Sequence, residues 1–148
     1  MRLVVDASVA LKWYLAHRAG ELHVDKAVAV GDVIESAGTV LFAPPHWVIE
    51  VLSVLSRMEP QLVDIAIVQF GDMSPTVIAN PSVLRRAADL SIRLNHHLFD
   101  TLYHAVALET GATLVTADDR YFAKASGEGH IVMLKDFKPP AESPVKKK

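Results

Sequence analysis

The stretch Leu3-Val4-Val5-Asp6-Ala7-Ser8-Val9 decides how the rest of the chain is read. Three apolar, mostly β-branched residues in a row have no polar face, so they predict a short strand buried on both sides in a parallel sheet. The strand runs directly into Asp6. Ser8 is placed as the N-cap of a helix that continues with helical spacing through Val9-Ala10-Leu11-Lys12-Trp13-Tyr14-Leu15. A carboxylate at the carboxyl end of a central strand stands where open α/β sheets hold their ligands.

The chain has 148 residues, enough for one domain with a substantial core, and 51% of them are hydrophobic. That content excludes disorder for the bulk of the chain. No apolar run approaches the roughly 18–20 residues of a membrane span. Arg2 is followed at once by Asp6 with no small-residue cleavage site, which argues against a signal peptide, and a cytoplasmic protein is expected. Cysteine is absent, so disulfides, thiolate metal sites and cysteine nucleophiles fall away together. With a formal charge of -2, any basic surface for nucleic acid has to be local.

Strand and helix patterns alternate along the chain. Helices are predicted over Leu22 to Ala37, His46 to Met58, Gln61 to Phe70, Val83 to Leu94, Thr101 to Thr110 and Arg120 to Ala125. Strands are predicted at Thr39–Ala43, Thr76–Ile78, Ala112–Val115 and Ile131–Leu134. The alternation predicts a three-layer α/β/α sandwich with a central parallel sheet. Residues 1–137 form the predicted domain, and the proline- and lysine-rich stretch 138–148 reads as a disordered tail.

Two buried strands end in acids: one at Asp6, the other through Thr116-Ala117 into Asp118. Parallel neighbours put such acids on one rim, about 4.8 Å apart per strand step. Asp100 at a helix start and Glu50 early in an apolar helix can face the same rim. Carboxylates that close resist ionisation unless a divalent cation compensates, and an all-oxygen set suits Mg²⁺ or Mn²⁺. Such a site can activate a water and neutralise a phosphodiester during in-line displacement. Each acid also has a plain structural reading. Asp100 and Asp118 can be helix caps, and Glu50 can be a solvated helix residue.

Four segments carry a resemblance when taken in order: Val4-Val5-Asp6-Ala7-Ser8-Val9, Pro45-His46-Trp47-Val48-Ile49-Glu50-Val51, Phe99-Asp100-Thr101-Leu102-Tyr103-His104-Ala105-Val106-Ala107 and Leu114-Val115-Thr116-Ala117-Asp118. Together they resemble the four motifs of the PIN domain, and more narrowly the VapC-type toxins of prokaryotic toxin–antitoxin pairs. The resemblance implies a Rossmann-like PIN fold and a metal-dependent endoribonuclease that cleaves RNA phosphodiesters with a metal-activated water. It implies Asp6, Glu50, Asp100 and Asp118 as the catalytic, metal-binding acids, with Mg²⁺ or Mn²⁺ as cofactor. Ser8 and Thr116 become hydroxyls that orient the carboxylates. A VapB-type antitoxin and a homodimer are the implied protein partners. Phe99-Asp100-Thr101 stands where the family often has Tyr-Asp-Ala. Asp119 adds a second acid beside Asp118, of which Asp118 fits the motif better, and Asp119 is expected to support the metal-binding acids alongside Ser8 and Thr116.

Lys12, Arg93, Arg120 and Lys124 are the candidate phosphate contacts, although a solvated face suits each one taken alone. His96 and His97 sit in a polar connector where exposed imidazoles are ordinary. His104, one turn after Asp100, can face the acids. Trp13 and Trp47 fit core packing better than base stacking. The main competing function is a PIN-like module that binds RNA or protein without cutting. A phosphatase of haloacid dehalogenase type wants a second Asp where Ser8 stands, and a dinucleotide site wants a glycine-rich loop that is missing after the first strand.

Overall fold

A computed structural model of the chain describes residues 1–141. The predicted tail therefore lies mostly outside the described residues, Lys146-Lys147-Lys148 included. Five parallel strands form one sheet in the order β3-β2-β1-β4-β5: β1 (Arg2–Val5), β2 (Val40–Ala43), β3 (Thr76–Val77), β4 (Thr113–Thr116) and β5 (Ile131–Met133). Leu3, Val4 and Val5 point alternately to the two faces of the sheet, yet all are buried, so both faces are covered by helices. Strand β1 is central and pairs Leu3 with Leu41 on one side and with Thr113 on the other.

The chain builds outward from β1 through β2 to β3, then crosses back to add β4 and β5 on the opposite side. The strand order thus reverses at β1/β4, and the carboxyl ends of these two strands frame the crevice where ligands bind in such sheets. Asp6 follows β1 and Asp118 follows β4.

Helix α7 (Leu98–Thr110) packs against β1, β2 and β4, with α6 (Pro81–Leu94) packed on it. Every residue of α7 from Thr101 to Ala107 is buried, so the middle of the helix is enclosed on all sides. Gly111 ends it in the left-handed region at φ 70°, which the absence of a Cβ makes easy. Helix α4 (Trp47–Met58) buries Trp47, Val51 and Leu55, a spacing of about one turn. The other helices are α1 (Ala7–Ala10), α2 (Lys12–Leu15), α3 (Val24–Glu35), α5 (Val63–Met73) and α8 (Asp119–Ala125).

Three predicted boundaries move. The helix expected to begin at Thr101 starts three residues earlier, at Leu98, with His97 as its N-cap, so Asp100 lies inside the first turn and is not a cap. Ser8 is not the N-cap of α1 either. Asp6 holds that position, and Ser8 lies within the helix with its hydroxyl turned back toward Asp6. The helix after Pro60 begins with a 3-10 turn, Pro60–Leu62, and extends past Phe70 to Met73.

Candidate active site

The four acids enter from four different helix starts. Asp6 is the N-cap residue of α1 and Asp118 that of α8, while Glu50 and Asp100 sit in the first turns of α4 and α7. Unpaired N–H groups make helix starts partially positive, which favours carboxylates there. All four line one cavity of about 490 Å³, together with Ser8, His46 and Phe99. A second cavity, about 520 Å³, shares Asp100 and Asp118 as its wall and adds His96, His97, Arg120 and Lys124.

Asp6 is the most constrained of the set. Its Oδ2 accepts hydrogen bonds from the Ser8 hydroxyl at 2.7 Å and the Thr116 hydroxyl at 2.9 Å. Thr116 Oγ1 in turn accepts from the Asp118 N–H at 3.1 Å, and Ser8 Oγ accepts from the Ala117 N–H at the same distance. Two hydroxyls therefore tie the ends of β1 and β4 together through one carboxylate. The Asp118 side chain is also engaged, since its Oδ1 accepts from the Tyr121 N–H at 3.0 Å and caps α8. The capping role and the place in the cavity coexist on one residue.

Burial pushes the Asp6 carboxyl up to about 6, and the nearby charges of Asp100 and Asp118 push the same way against its two hydroxyl donors. Glu50 is likewise raised, first by burial and then by Asp6 and Asp100, while the Tyr103 hydroxyl donating to Glu50 Oε2 at 2.7 Å works in the opposite direction. The acids are thus close enough to resist one another's ionisation. An all-oxygen donor set with excess negative charge fits a hard divalent cation.

Two histidines, His46 and His96, brace the acids in roles that sequence reasoning missed. His96 Nε2 lies 2.8 Å from Asp100 Oδ2, and His96, Asp100 and Asp118 each offer an atom within 4.8 Å of the others. The ring is not an exposed connector imidazole, because its side chain is only 10% accessible. His46 Nε2 donates to the Phe99 carbonyl at 2.8 Å, joining the start of α4 to the first turn of α7. Burial holds His46 below the usual imidazole range, in keeping with a neutral ring. A histidine four residues before an acid occurs at both Glu50 and Asp100, and that spacing was the available signal.

Several other expectations are corrected. His104 does not face the acids: its ring is buried, with Nδ1 2.8 Å from the Tyr121 hydroxyl and Nε2 2.7 Å from the Gly129 carbonyl. Lys12 is bound to Glu21 at 3.2 Å and lines neither acidic cavity. Arg93 is held by Asp89 and Glu128 at 2.8 and 2.7 Å, also away from both. Asp119 takes the first helical position after the cap and turns to a separate cavity beside Lys12 and Lys135, so it does not support the other acids. Arg120 and Lys124 do reach the site, on the wall of the second cavity.

The family model for the PIN domain matches residues 3–128. No curated protein matches the sequence. Among solved structures, a chain titled toxin-antitoxin complex from Klebsiella pneumoniae superposes with a TM-score of 0.63 at 12% identity, covering 89% of this chain and 97% of that one. PAE2754 from Pyrobaculum aerophilum superposes with a TM-score of 0.61 at 19% identity, covering 91% and 90%. At these identities the likeness is one of fold. The sequence match spans most of the domain and all four acids, and the chain belongs to the PIN domain family.

Proposed function

We propose that the protein is a Mg²⁺- or Mn²⁺-dependent endoribonuclease acting as the toxin of a VapBC-type toxin–antitoxin pair in the cytoplasm. The observation that carries the reading is the convergence of Asp6, Glu50, Asp100 and Asp118 on one cavity at the point where the strand order reverses. Asp6, Asp100 and Asp118 would hold the cation, with Glu50 completing the set. The ion, when bound, lowers the pKa of a water and neutralises the phosphodiester under attack.

The chain's own residues supply position and charge. Ser8 and Thr116 fix one oxygen of Asp6, leaving the other without a hydrogen bond among the described residues. Tyr103 orients Glu50. Arg120 and Lys124 put positive charge beside Asp100 and Asp118, where an RNA backbone approaching the acids needs it. A non-cleaving module has no use for four acids held in mutual repulsion. Family resemblance supports 5′-phosphate and 3′-hydroxyl ends.

The toxin–antitoxin complex among the structural neighbours supports an antitoxin protein as partner. No helix among the described residues is long and apolar enough to cross a membrane. The function is tested by incubating the protein with total RNA, with and without Mg²⁺ or Mn²⁺, and mapping the cleaved ends. Metal-dependent cleavage that disappears in Asp100→Asn is expected. Cleavage that persists in that variant, or no cleavage with either ion, refutes the reading.

A further inference from the structure

His96 comes from the connector between α6 and α7, which Asn95 turns through the left-handed region at φ 48°. This places the imidazole between Asp100 and helix α8. Nε2 lies 2.8 Å from Asp100 Oδ2, and Nδ1 faces the Lys124 ammonium at 3.4 Å. Lys124 is itself anchored on the Asn95 carbonyl at 2.9 Å. The ring packs on Tyr121 with centroids 4.9 Å apart.

These contacts fix the role of each nitrogen. An ammonium only donates, so the nitrogen beside it serves as an acceptor and carries no proton. Nε2 then carries the ring proton, directed at Asp100. A histidine that ligates a metal through Nε2 needs the reverse arrangement, with Nδ1–H held by a carboxylate or carbonyl. Proximity alone groups His96 with Asp100 and Asp118 as possible metal ligands, but the lysine on the far nitrogen opposes ligation.

We infer that His96 is a positioning residue: it donates from Nε2 to Asp100 Oδ2 and fixes that carboxylate for the cation without touching the cation itself. The inference rests on the functional reading above. It has a further consequence for α8, which holds both central acids. Its Tyr121 N–H donates to Asp118 Oδ1, while the Tyr121 ring and Lys124 back the imidazole that holds Asp100.

The test is calorimetric titration of Mg²⁺ and Mn²⁺ into the EDTA-stripped full chain, using wild type, His96→Ala and His96→Gln. Loss of an outer hydrogen bond to a metal ligand weakens metal affinity by about 10–100-fold, and His96→Ala is expected to fall in that range for both ions. The amide nitrogen of His96→Gln can reach the same oxygen and restores most of the affinity. In the wild type loaded with Mn²⁺, pulsed electron paramagnetic resonance is expected to show no imidazole nitrogen coupled to the ion. Such a coupling overturns the inference by making His96 a ligand, and this readout decides even if His96→Ala fails to fold. Wild type that binds the ions while His96→Ala binds them equally well overturns the positioning role and leaves the nuclease reading intact. Wild type that binds neither ion overturns both.

Discussion

Replacing Asp6 with asparagine is expected to abolish RNA cleavage and, in the metal-free protein at neutral pH, to increase stability. Asp6 keeps its proton to about 6 in the fold against 3.8 ordinarily, so an unfolded chain gives that proton up first. A group raised in this way lowers stability as pH climbs from near 4 to 6, and the loss is complete above that window. The interval between the two values corresponds to about 3 kcal/mol. Asp6 retains some contact with water, and the substitution weakens its bonds to Ser8 and Thr116, so about 1–3 kcal/mol is the expected gain. Urea unfolding in EDTA measures it, with the two proteins alike at pH 4 and separating by pH 7. Mg²⁺ at a hundredfold excess over its Kd then narrows or reverses the gap, because it adds about 2.7 kcal/mol to the wild type alone. An asparagine variant no more stable than wild type at pH 7 in EDTA refutes the claim that burial, with Asp100 and Asp118 nearby, penalises the ionised Asp6 carboxylate.

Four further outcomes follow from the same geometry. Thr116→Val removes the donor to Asp6 and strands the half-buried Asp118 N–H, and a loss of about 1–3 kcal/mol in urea unfolding is expected, with weakened Mg²⁺ binding. Tyr103→Phe releases Glu50 at a cost of about 0.5–1.5 kcal/mol and lowers kcat at limiting Mg²⁺ while leaving the fold intact. Arg120→Gln, an exposed change, should raise KM for RNA and flatten the dependence of binding on salt, with Tm unchanged. Lys12→Gln breaks only the contact to Glu21 and should leave KM where it was, since Lys12 does not line the acidic cavities.

The sheet and the acids were legible because each rests on a local pattern. Leu3-Val4-Val5 has no polar face, and a strand of that kind fits only the middle of a covered parallel sheet. The end of Thr113–Thr116 delivers Asp118 to the same rim for the same reason. The failures have a different origin. Lys12, Arg93 and Asp119 carry the right charge, but whether a long side chain reaches the cavity depends on partners distant in sequence: Glu21 for Lys12, Glu128 for Arg93. His104 shares a helix with Asp100 and lies one turn away, yet α7 is buried all round, so its neighbours on one flank meet Tyr121 and Gly129, not the acids. Sequence spacing gives the face of a helix; it does not give what covers that face.

Why four acids all sit at helix starts follows from the topology. In a parallel sheet each strand's carboxyl end hands over to a helix start, so the rim that carries Asp6 and Asp118 also gathers the partial positive charge of N-terminal turns. The N-terminal turns of α4 and α7 bring Glu50 and Asp100 to that rim under the same field. This charge does not cancel the effect of burial, which, helped by the charges of Asp100 and Asp118, holds the Asp6 carboxyl near 6. The remaining imbalance is what a dication relieves, and it separates this arrangement from four capping residues that happen to be acidic. A cap is satisfied by its own helix, as Asp118 Oδ1 is by Tyr121. Asp6 makes no side-chain bond to the helix N–H groups it precedes, and turns to Ser8 and Thr116 across the crevice. A residue in the N-cap position that does no capping, held at the reversal of strand order among like charges, stands where open α/β sheets hold their ligands.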